Sequence, residues 1–196
     1  MDARSALADT PSRRSEARER LLETASGLFY AEGVQAVGVD RLIAAAGVTK
    51  ATFYRHFPGK DELVLAYLQQ RDRDIRARFG AAAATVHDPR QTLQLLVDTL
   101  ADEICGPGFR GCPFINAAAE YPDPGHPVRQ AVSEHRRWFR SALAGLAADC
   151  GHPEPDTAAG ILVLLRDGSM VGGYLDGEAT RGHLRRAATA LVGTAS

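Results

Sequence analysis

Apolar residues recur at helical spacing along almost the whole chain, and the alternation typical of a β-strand is almost absent. Near the N-terminus Leu21, Ala25, Leu28 and Phe29 follow one another at such spacing, and Gly33 stands where a helix would end. Similar stripes continue towards the C-terminus, and the breaks between them are rich in Gly, Pro and Asp: 106–111, 121–127, 151–155 and 176–180. The pattern predicts an all-α protein of about nine helices.

The composition is that of an ordinary globular chain. The 196 residues carry 23 Lys and Arg against 24 Asp and Glu, a formal net charge of −1, and 45% of them are hydrophobic. This content of apolar residues is too high for a disordered chain, and the charge balance excludes a wholly basic nucleic-acid coat. The balance is uneven along the chain, because residues 1–80 hold 13 basic and 11 acidic side chains while residues 81–196 hold 10 and 13.

Neither export nor membrane insertion is indicated. The first fifteen residues lack the apolar core of a signal peptide, and the longest strongly apolar run, Ile161 to Leu165, is far shorter than the roughly 18 residues that span a bilayer. Three cysteines, Cys105, Cys112 and Cys150, are an odd number without metal-binding spacing. We therefore expect a cytoplasmic protein with reduced thiols and no metal or other cofactor, and a redox role of Cys105 and Cys112 stays open.

The chain divides into three predicted parts. Residues 1–13 are small and polar, which predicts a flexible tail. Residues 14–59 hold three predicted helices and end at Pro58-Gly59. Residues 60–196 begin with a fourth helix, expected from about Lys60 to Phe79, and an alanine-rich connector is expected beyond Gly80.

Residues 41–60 carry the strongest functional signal. Two short helices are predicted on either side of Gly47, which is the sequence form of a helix-turn-helix. The segment contains Arg41, Lys50, Arg55 and Lys60 but no carboxylate, so its formal charge is +4. A surface without carboxylates suits the approach of DNA phosphates, which Asp or Glu would repel.

The second of these helices offers distinct contacts by position. Thr49, at its N-terminus, is placed to meet a phosphate, and the side chains of the first turns are placed to meet base edges. Phe53 and Phe57 face the other way and are expected in the core. The predicted DNA-binding residues are Arg41, Thr49, Lys50, Ala51, Thr52, Tyr54, Arg55, His56 and Lys60.

The run GVTKATFYRHFPGKDEL resembles the helix-turn-helix signature of the TetR/AcrR family of transcriptional regulators. The resemblance implies an N-terminal three-helix DNA-binding domain joined by helix 4 to a helical ligand-binding and dimerisation domain. It also implies a homodimer on a palindromic operator, usually a repressor that a small-molecule effector releases. One departure is Val37-Gly38, where the family often has hydroxyl residues that cap the second helix and contact phosphate.

The resemblance further implies a ligand pocket among the middle helices and a dimer face on the last two, at about 156–174 and 180–193. An aromatic side chain on an amphipathic helix is also ordinary core, so the pocket residues are candidates only. The apolar candidates are Leu96, Leu100, Phe114, Ile115, Trp138, Phe139, Leu165 and Met170, and the polar ones are Asn116, Tyr121, His135 and Arg166. Small residues such as Ala158, Ala159, Gly172 and Gly173 would let helices approach closely.

Other functions have little support in the sequence. Residues 106–111 match the pattern G-x-G-x-x-G, but no strand precedes them, so a nucleotide site is not indicated. No convergent set of catalytic or metal-binding groups is recognisable, and we expect no enzymatic activity. The alternatives are a DNA-binding activator, a ligand-independent regulator, or an α-helical enzyme with an incidental helix-turn-helix.

Overall fold

A computed structural model of the chain describes residues 13–193. Nine helices and no strand occur in this range, as the sequence predicts. The helices are α1 (Arg13–Glu32), α2 (Val39–Ala46), α3 (Lys50–His56), α4 (Lys60–Thr85), α5 (Pro89–Glu103), α6 (Pro113–Glu120), α7 (Pro127–Asp149), α8 (Pro155–Leu175) and α9 (Ala179–Gly193). Except for Arg13, which begins α1, the expected tail at residues 1–13 lies outside the described residues.

Helix α4 is longer than the sequence pattern predicts. It continues past Gly80 through Ala81 and Ala84 to Thr85, where we expected a connector. Alanine is the strongest helix former, and a single glycine costs a helix only about 1 kcal/mol relative to alanine. The alanines therefore extend α4 instead of ending it.

The chain contacts form two compact units, residues 1–67 (unit 1) and 68–196 (unit 2). In unit 1, helices α1, α2 and α3 pack against one another. Their shared core is built from Leu21, Phe29, Leu42 and Phe53, none of which is more than 3% exposed. The predicted boundary between residues 59 and 60 stays a prediction.

Unit 2 is built around its C-terminal helices. Helix α8 packs on α7 and α9, α9 also packs on α5, and α6 lies against α7. Three ion pairs join α5 to α9, because Arg185 bonds Asp98 at 2.6 Å and approaches Asp102 at 3.4 Å, and Arg181 lies 3.8 Å from Asp102. These contacts fix the ends of α5 and α9 within one body.

Helix α8 is the one helix of the described part of the chain that is long and apolar enough, by length and composition, to cross a membrane. Its uninterrupted apolar run, Ile161 to Leu165, is short, but the helix as a whole is long enough to span a bilayer. One side of α8 is nevertheless buried inside unit 2, where Ala158, Leu162 and Met170 contribute to the core. The other side exposes apolar residues.

Candidate nucleic-acid interface and polar core

The turn between α2 and α3 has the geometry of a helix-turn-helix. Gly47 ends α2 in the left-handed conformation, with φ 62° and ψ 38°, a region that residues with a Cβ rarely adopt. Thr49 caps α3, because its side-chain oxygen accepts a hydrogen bond from the backbone N–H of Thr52 at 3.1 Å. The hydroxyl groups of Thr49 and Thr52 also lie 2.9 Å apart. The cap therefore fixes where the first turn of α3 begins.

Helix α3 has one buried and one exposed face. Phe53 is 0% exposed and Phe57 is 3% exposed, so both belong to the core as predicted. On the other side Lys50, Ala51 and Arg55 are exposed, and Tyr54 is 46% exposed. The Tyr54 ring packs edge-on against Phe53 with 5.2 Å between centroids. This contact restrains Tyr54 without covering it.

The remaining predicted DNA-binding residues lie at or beside this face. Thr49 and Arg41 are exposed, whereas Thr52, His56 and Lys60 are half-buried. Lys60 is the first residue of α4, directly after the turn that follows α3. The structure thus places these residues on one short stretch of unit 1, and their contacts with DNA stay predictions.

Two carboxylates lie close to the predicted basic surface. Both terminal nitrogens of the Arg41 guanidinium donate to the carboxylate of Glu32 at the end of α1. Lys50 Nζ lies 3.8 Å from Asp40 Oδ1, and both side chains are exposed. Asp40 directly precedes the carboxylate-free segment, and Glu32 is nine residues before Arg41. Counting charge along residues 41–60 could not reveal either pair.

The departure at Val37-Gly38 has a structural explanation. Val37 is 0% exposed, so this position contributes to the core of unit 1. Gly38 is the N-cap of α2 and has no side chain with which to cap it. Any phosphate contact at Gly38 would therefore use backbone N–H groups.

Unit 2 contains a buried polar cluster between α4 and α7. His135 of α7 is 4% exposed, and its Nδ1 lies 2.7 Å from Asp72 Oδ1 of α4. Asp72 also accepts a hydrogen bond from Arg76 at 2.7 Å. The guanidinium of Arg76 lies 4.2 Å from the ring centroid of Trp138. One turn of α4 is thereby bonded to one turn of α7.

The protonation states of this pair follow from their surroundings. Burial is the largest cause and lowers the pKa of His135 below 6.5, despite the hydrogen bond and negative charge of Asp72, which favour the charged form; Arg166 and Arg76 lower the pKa by smaller amounts. Burial alone would raise the pKa of Asp72, but hydrogen bonds from Arg76 and His135 bring it below 3.8. At pH 7 a neutral imidazole therefore faces an ionised carboxylate. Since that carboxylate only accepts hydrogen bonds, His135 Nδ1 carries the proton.

Aromatic rings surround His135. Phe114 of α6 stacks on the imidazole with 3.7 Å between centroids. Trp138 lies 5.7 Å and Phe139 6.2 Å away by the same measure. Phe114 is buried, whereas Trp138 and Phe139 are only half-buried. Several predicted pocket residues thus meet in one place.

A second group of polar side chains lies beside the rings. Arg166 of α8 bonds Asp167 Oδ1 at 2.9 Å and Cys112 Sγ at 3.1 Å, and its guanidinium lies 5.6 Å from the centroid of Phe139. Asp167 is also bonded by Arg136 at 2.8 Å. Burial opposes the charged form of Arg166, but Cys112 and Asp167 outweigh it and raise the pKa. Arg166 is therefore a buried cation.

The other candidate pocket residues have different surroundings. Tyr121 packs against His126, with centroids 4.7 Å apart, and Asn116 donates to the carbonyl of Arg110 at 2.9 Å. Met170 is buried, and Leu96, Leu100, Ile115 and Leu165 are half-buried. No pattern in the sequence singles out Asp72, Arg76 or Asp167, although Asp72 and Arg76 stand one helical turn apart. Among residues 13–193, no group of three metal-binding side chains is close enough to hold an ion.

Known proteins resemble both units. Residues 21–67 match the family model described as bacterial regulatory proteins, tetR family. Residues 89–191 match the model described as the tetracyclin repressor-like C-terminal domain. The second match alone covers more than half of the chain.

Individual relatives agree with these models. The crystal structure of SCO4454, a TetR-family transcriptional regulator from Streptomyces coelicolor, is 47% identical with a TM-score of 0.88, and the match covers 91% of this chain and 95% of that one. The transcriptional regulator LmrA of Bacillus subtilis is 28% identical over 126 residues, 63% of this chain and 67% of LmrA. The transcriptional activator FasR of Mycolicibacterium smegmatis is 38% identical over 91 residues, which span 46% of this chain and 42% of FasR. The chain therefore belongs to the TetR family of DNA-binding transcriptional regulators.

Proposed function

We propose that the chain acts as a homodimeric repressor in the bacterial cytoplasm. Two copies would bind a palindromic operator, and a small molecule bound in unit 2 would release them. The observation that carries the proposal is the exposed face of α3, where Lys50, Tyr54 and Arg55 project beyond the buried Phe53. No enzymatic step belongs to this function.

The proposed contacts divide into two kinds. Lys50, Ala51, Thr52 and Tyr54 lie in the first turns of α3, from which a recognition helix reaches base edges in the major groove. Thr49, Arg55, His56 and Lys60 would contact phosphates, which fix the register without reading sequence. Arg41 would join them only after leaving Glu32.

The exposed side of α8 supports the dimer. Ile161, Leu164, Val171 and Leu175 are between 38% and 71% exposed, and their spacing places them along one side of the helix. Contiguous apolar surface of this kind marks protein interfaces. Two copies paired through α8 and α9 would present two recognition helices to major grooves about 34–36 Å apart.

Helix α4 is the proposed route from ligand to DNA. It begins at Lys60, next to α3, and its later turns carry Asp72, which is bonded to His135 of α7. A ligand that repacks residues 93–140 would shift α4 and change the distance between the recognition helices. A coupling of about 1–3 kcal/mol is typical of allosteric proteins and would be sufficient.

The test is binding to the DNA upstream of the protein's own gene, measured by footprinting and fluorescence anisotropy at several salt concentrations. We expect a protected palindrome and an affinity that falls steeply with salt. Lys60→Ala should weaken binding to all sequences and flatten the salt dependence, whereas Arg78→Ala, which removes a positive charge from unit 2, should not. Equal operator affinity in the presence and absence of every tested effector would refute ligand control.

A second role, activation, has one specific observation in its favour, since FasR is named an activator. Deleting the gene distinguishes the two roles. Transcription from the bound promoter should rise if the protein is a repressor and fall if it is an activator.

A further inference from the structure

We propose that the effector is a flat aromatic anion whose carboxylate pairs with Arg166 and whose ring packs beside Trp138 and Phe139. This inference rests on the proposed function, because it names the class of ligand that unit 2 would bind. It follows from the charges of the polar cluster and from the partial exposure of the rings around it.

The charge argument starts from Asp167. Two guanidinium groups, those of Arg166 and Arg136, bond this single carboxylate at 2.9 and 2.8 Å. One negative charge neutralises only one of the two cations. Arg136 is 42% exposed and is therefore solvated, whereas the Arg166 side chain is only 11% exposed. Water can stabilise the charge of Arg136 but reaches little of Arg166, so Arg166 gains more from an additional anion.

The second partner of Arg166 does not remove this imbalance. This partner is Cys112, whose Sγ lies 3.1 Å from the other terminal nitrogen of Arg166. The sulfur of a thiol is a weak acceptor. A guanidinium presents several N–H groups in a planar fork that matches a carboxylate in geometry and charge. A ligand carboxylate would therefore be a stronger partner for this nitrogen than the thiol.

The neighbouring charges also favour an anion. Asp72 is held by both Arg76 and His135, so the other carboxylate of the cluster is already bonded. His135 itself remains neutral at pH 7 because of burial and the adjacent cations. Counting Arg76, Arg136 and Arg166 against Asp72 and Asp167 leaves one positive charge.

The rings explain why the ligand should be flat and aromatic. Trp138 and Phe139 lie near His135 and are half-buried, so neither side chain is fully covered. Arg166 lies 5.6 Å from the centroid of Phe139, so an anion bonded to Arg166 would hold its own ring near these two. Aromatic rings in such positions gain from offset or edge-on packing.

Trp138 provides a site-specific signal, because it is the one tryptophan of the chain. Protein labelled with ¹⁵N has a single indole N–H resonance, which can be followed while calorimetry gives the affinity. The probes are benzoate, cinnamate and 2-naphthoate, each compared with its uncharged primary amide. We expect at least one acid to shift the indole resonance saturably and to bind about tenfold or more tightly than its amide.

Three variants test the role of Arg166. Arg166→Gln should weaken binding of the acid about tenfold or more, while Arg137→Gln, which removes the same charge from an exposed position of α7 outside the cluster, should have little effect. Cys112→Ala should tighten binding by roughly threefold, because it removes the competing acceptor from Arg166. If Cys112 only supported folding, its removal would not increase the affinity for the acid. Thermal melts identify any variant that fails to fold.

The proposal is overturned if no acid of the panel binds at millimolar concentration, if the amides bind as tightly as the acids, or if Arg137→Gln and Arg166→Gln behave alike. These measurements contain no DNA and are therefore separate from the proposed function. Acids that bind without changing operator affinity would support the site and refute its role in release. Operator release by uncharged molecules alone would support ligand control and refute the anionic class.

Discussion

Glu32, the last residue of α1, accepts hydrogen bonds from both terminal guanidinium nitrogens of Arg41 in α2. The pair joins two helices of unit 1 and occupies a cation that the sequence assigns to DNA. On the proposed interface, phosphates and Glu32 would compete for the same guanidinium.

Removing the carboxylate should release Arg41. We expect Glu32→Gln to tighten operator binding by about 1 kcal/mol, roughly fivefold. The plot of log K against log salt concentration should also become steeper, by the release of about one additional counterion. Fluorescence anisotropy at four or more salt concentrations measures both quantities. Glu23→Gln, an exposed change of the same charge on α1, is the control. Equal effects of the two variants would mean that only net charge matters and that Arg41 does not reach DNA.

Asp40 has a similar relation to Lys50, at 3.8 Å. We expect Asp40→Asn to raise DNA affinity by about 0.5–1 kcal/mol, since exposed ion pairs are weak and DNA phosphates repel a nearby carboxylate. A double-mutant cycle with Lys50→Gln measures the coupling between the two positions. If Asp40 acts through Lys50, its effect should shrink when Lys50 is absent, and an unchanged effect would exclude that route.

Much of the fold could be predicted because it depends on local sequence. Helical periodicity, Gly47 and the capping Thr49 are sufficient to predict α1 to α3 and the buried position of Phe53. The predicted end of α4 was wrong, because the alanines that follow Gly80 continue the helix. The family comparisons confirm the resemblance found in residues 47–63.

The site depends on contacts that are distant in sequence. Asp72 and His135 are 63 residues apart, and Cys112 and Arg166 are 54 apart. Neither helical periodicity nor charge patterning reports which faces of two helices will meet. The cluster as a whole therefore cannot be predicted from the sequence, although Trp138, Phe139, His135 and Arg166 are each candidates for the pocket.

The proposed dimer face can be tested at Leu164, which is 71% exposed. We expect Leu164→Arg to raise the dimer dissociation constant about a hundredfold or more, because it buries a charge in an apolar interface. Operator affinity should fall with it. Leu95→Arg, at an exposed leucine of α5, is the control and should leave the dimer intact. Sedimentation velocity over a range of concentrations distinguishes monomer from dimer, and a dimeric Leu164→Arg protein would place the interface elsewhere.

Gly173 is required inside the protomer. A Cβ added there would lie 2.7 Å from the Ile104 Cβ and 2.8 Å from its carbonyl oxygen. At least part of the small-residue stripe of α8 thus serves packing within one chain. We expect Gly173→Ala to destabilise unit 2 by about 1–3 kcal/mol. Gly145→Ala, at a helical position with nothing within 4 Å, should instead stabilise it by about 0.5–1 kcal/mol. Urea unfolding, monitored by Trp138 fluorescence, measures the change in the free energy of unfolding for both variants. Equal effects would contradict the close approach of Gly173 to Ile104.

The burial of His135 should make the stability of unit 2 depend on pH. The pKa of His135 is below 6.5 in the folded protein, so the unfolded chain takes up this proton first as the pH falls. The stabilisation is therefore complete above pH 6.5 and is lost as the pH falls through the lower folded pKa. Asp72, whose folded pKa is below 3.8, loses its contribution in a separate and more acidic range.

His135→Gln isolates the first of these effects. Glutamine can still donate a hydrogen bond to Asp72 but does not titrate. We expect the free energy of unfolding, measured in urea between pH 7.5 and 5 through Trp138 fluorescence, to decrease less in the variant than in the wild type. All other ionisable groups are the same in the two proteins, so their contributions cancel in the difference. Parallel pH profiles would mean that protonating His135 costs no more in the folded state than in the unfolded chain, and the neutral imidazole assigned to this contact would then be wrong.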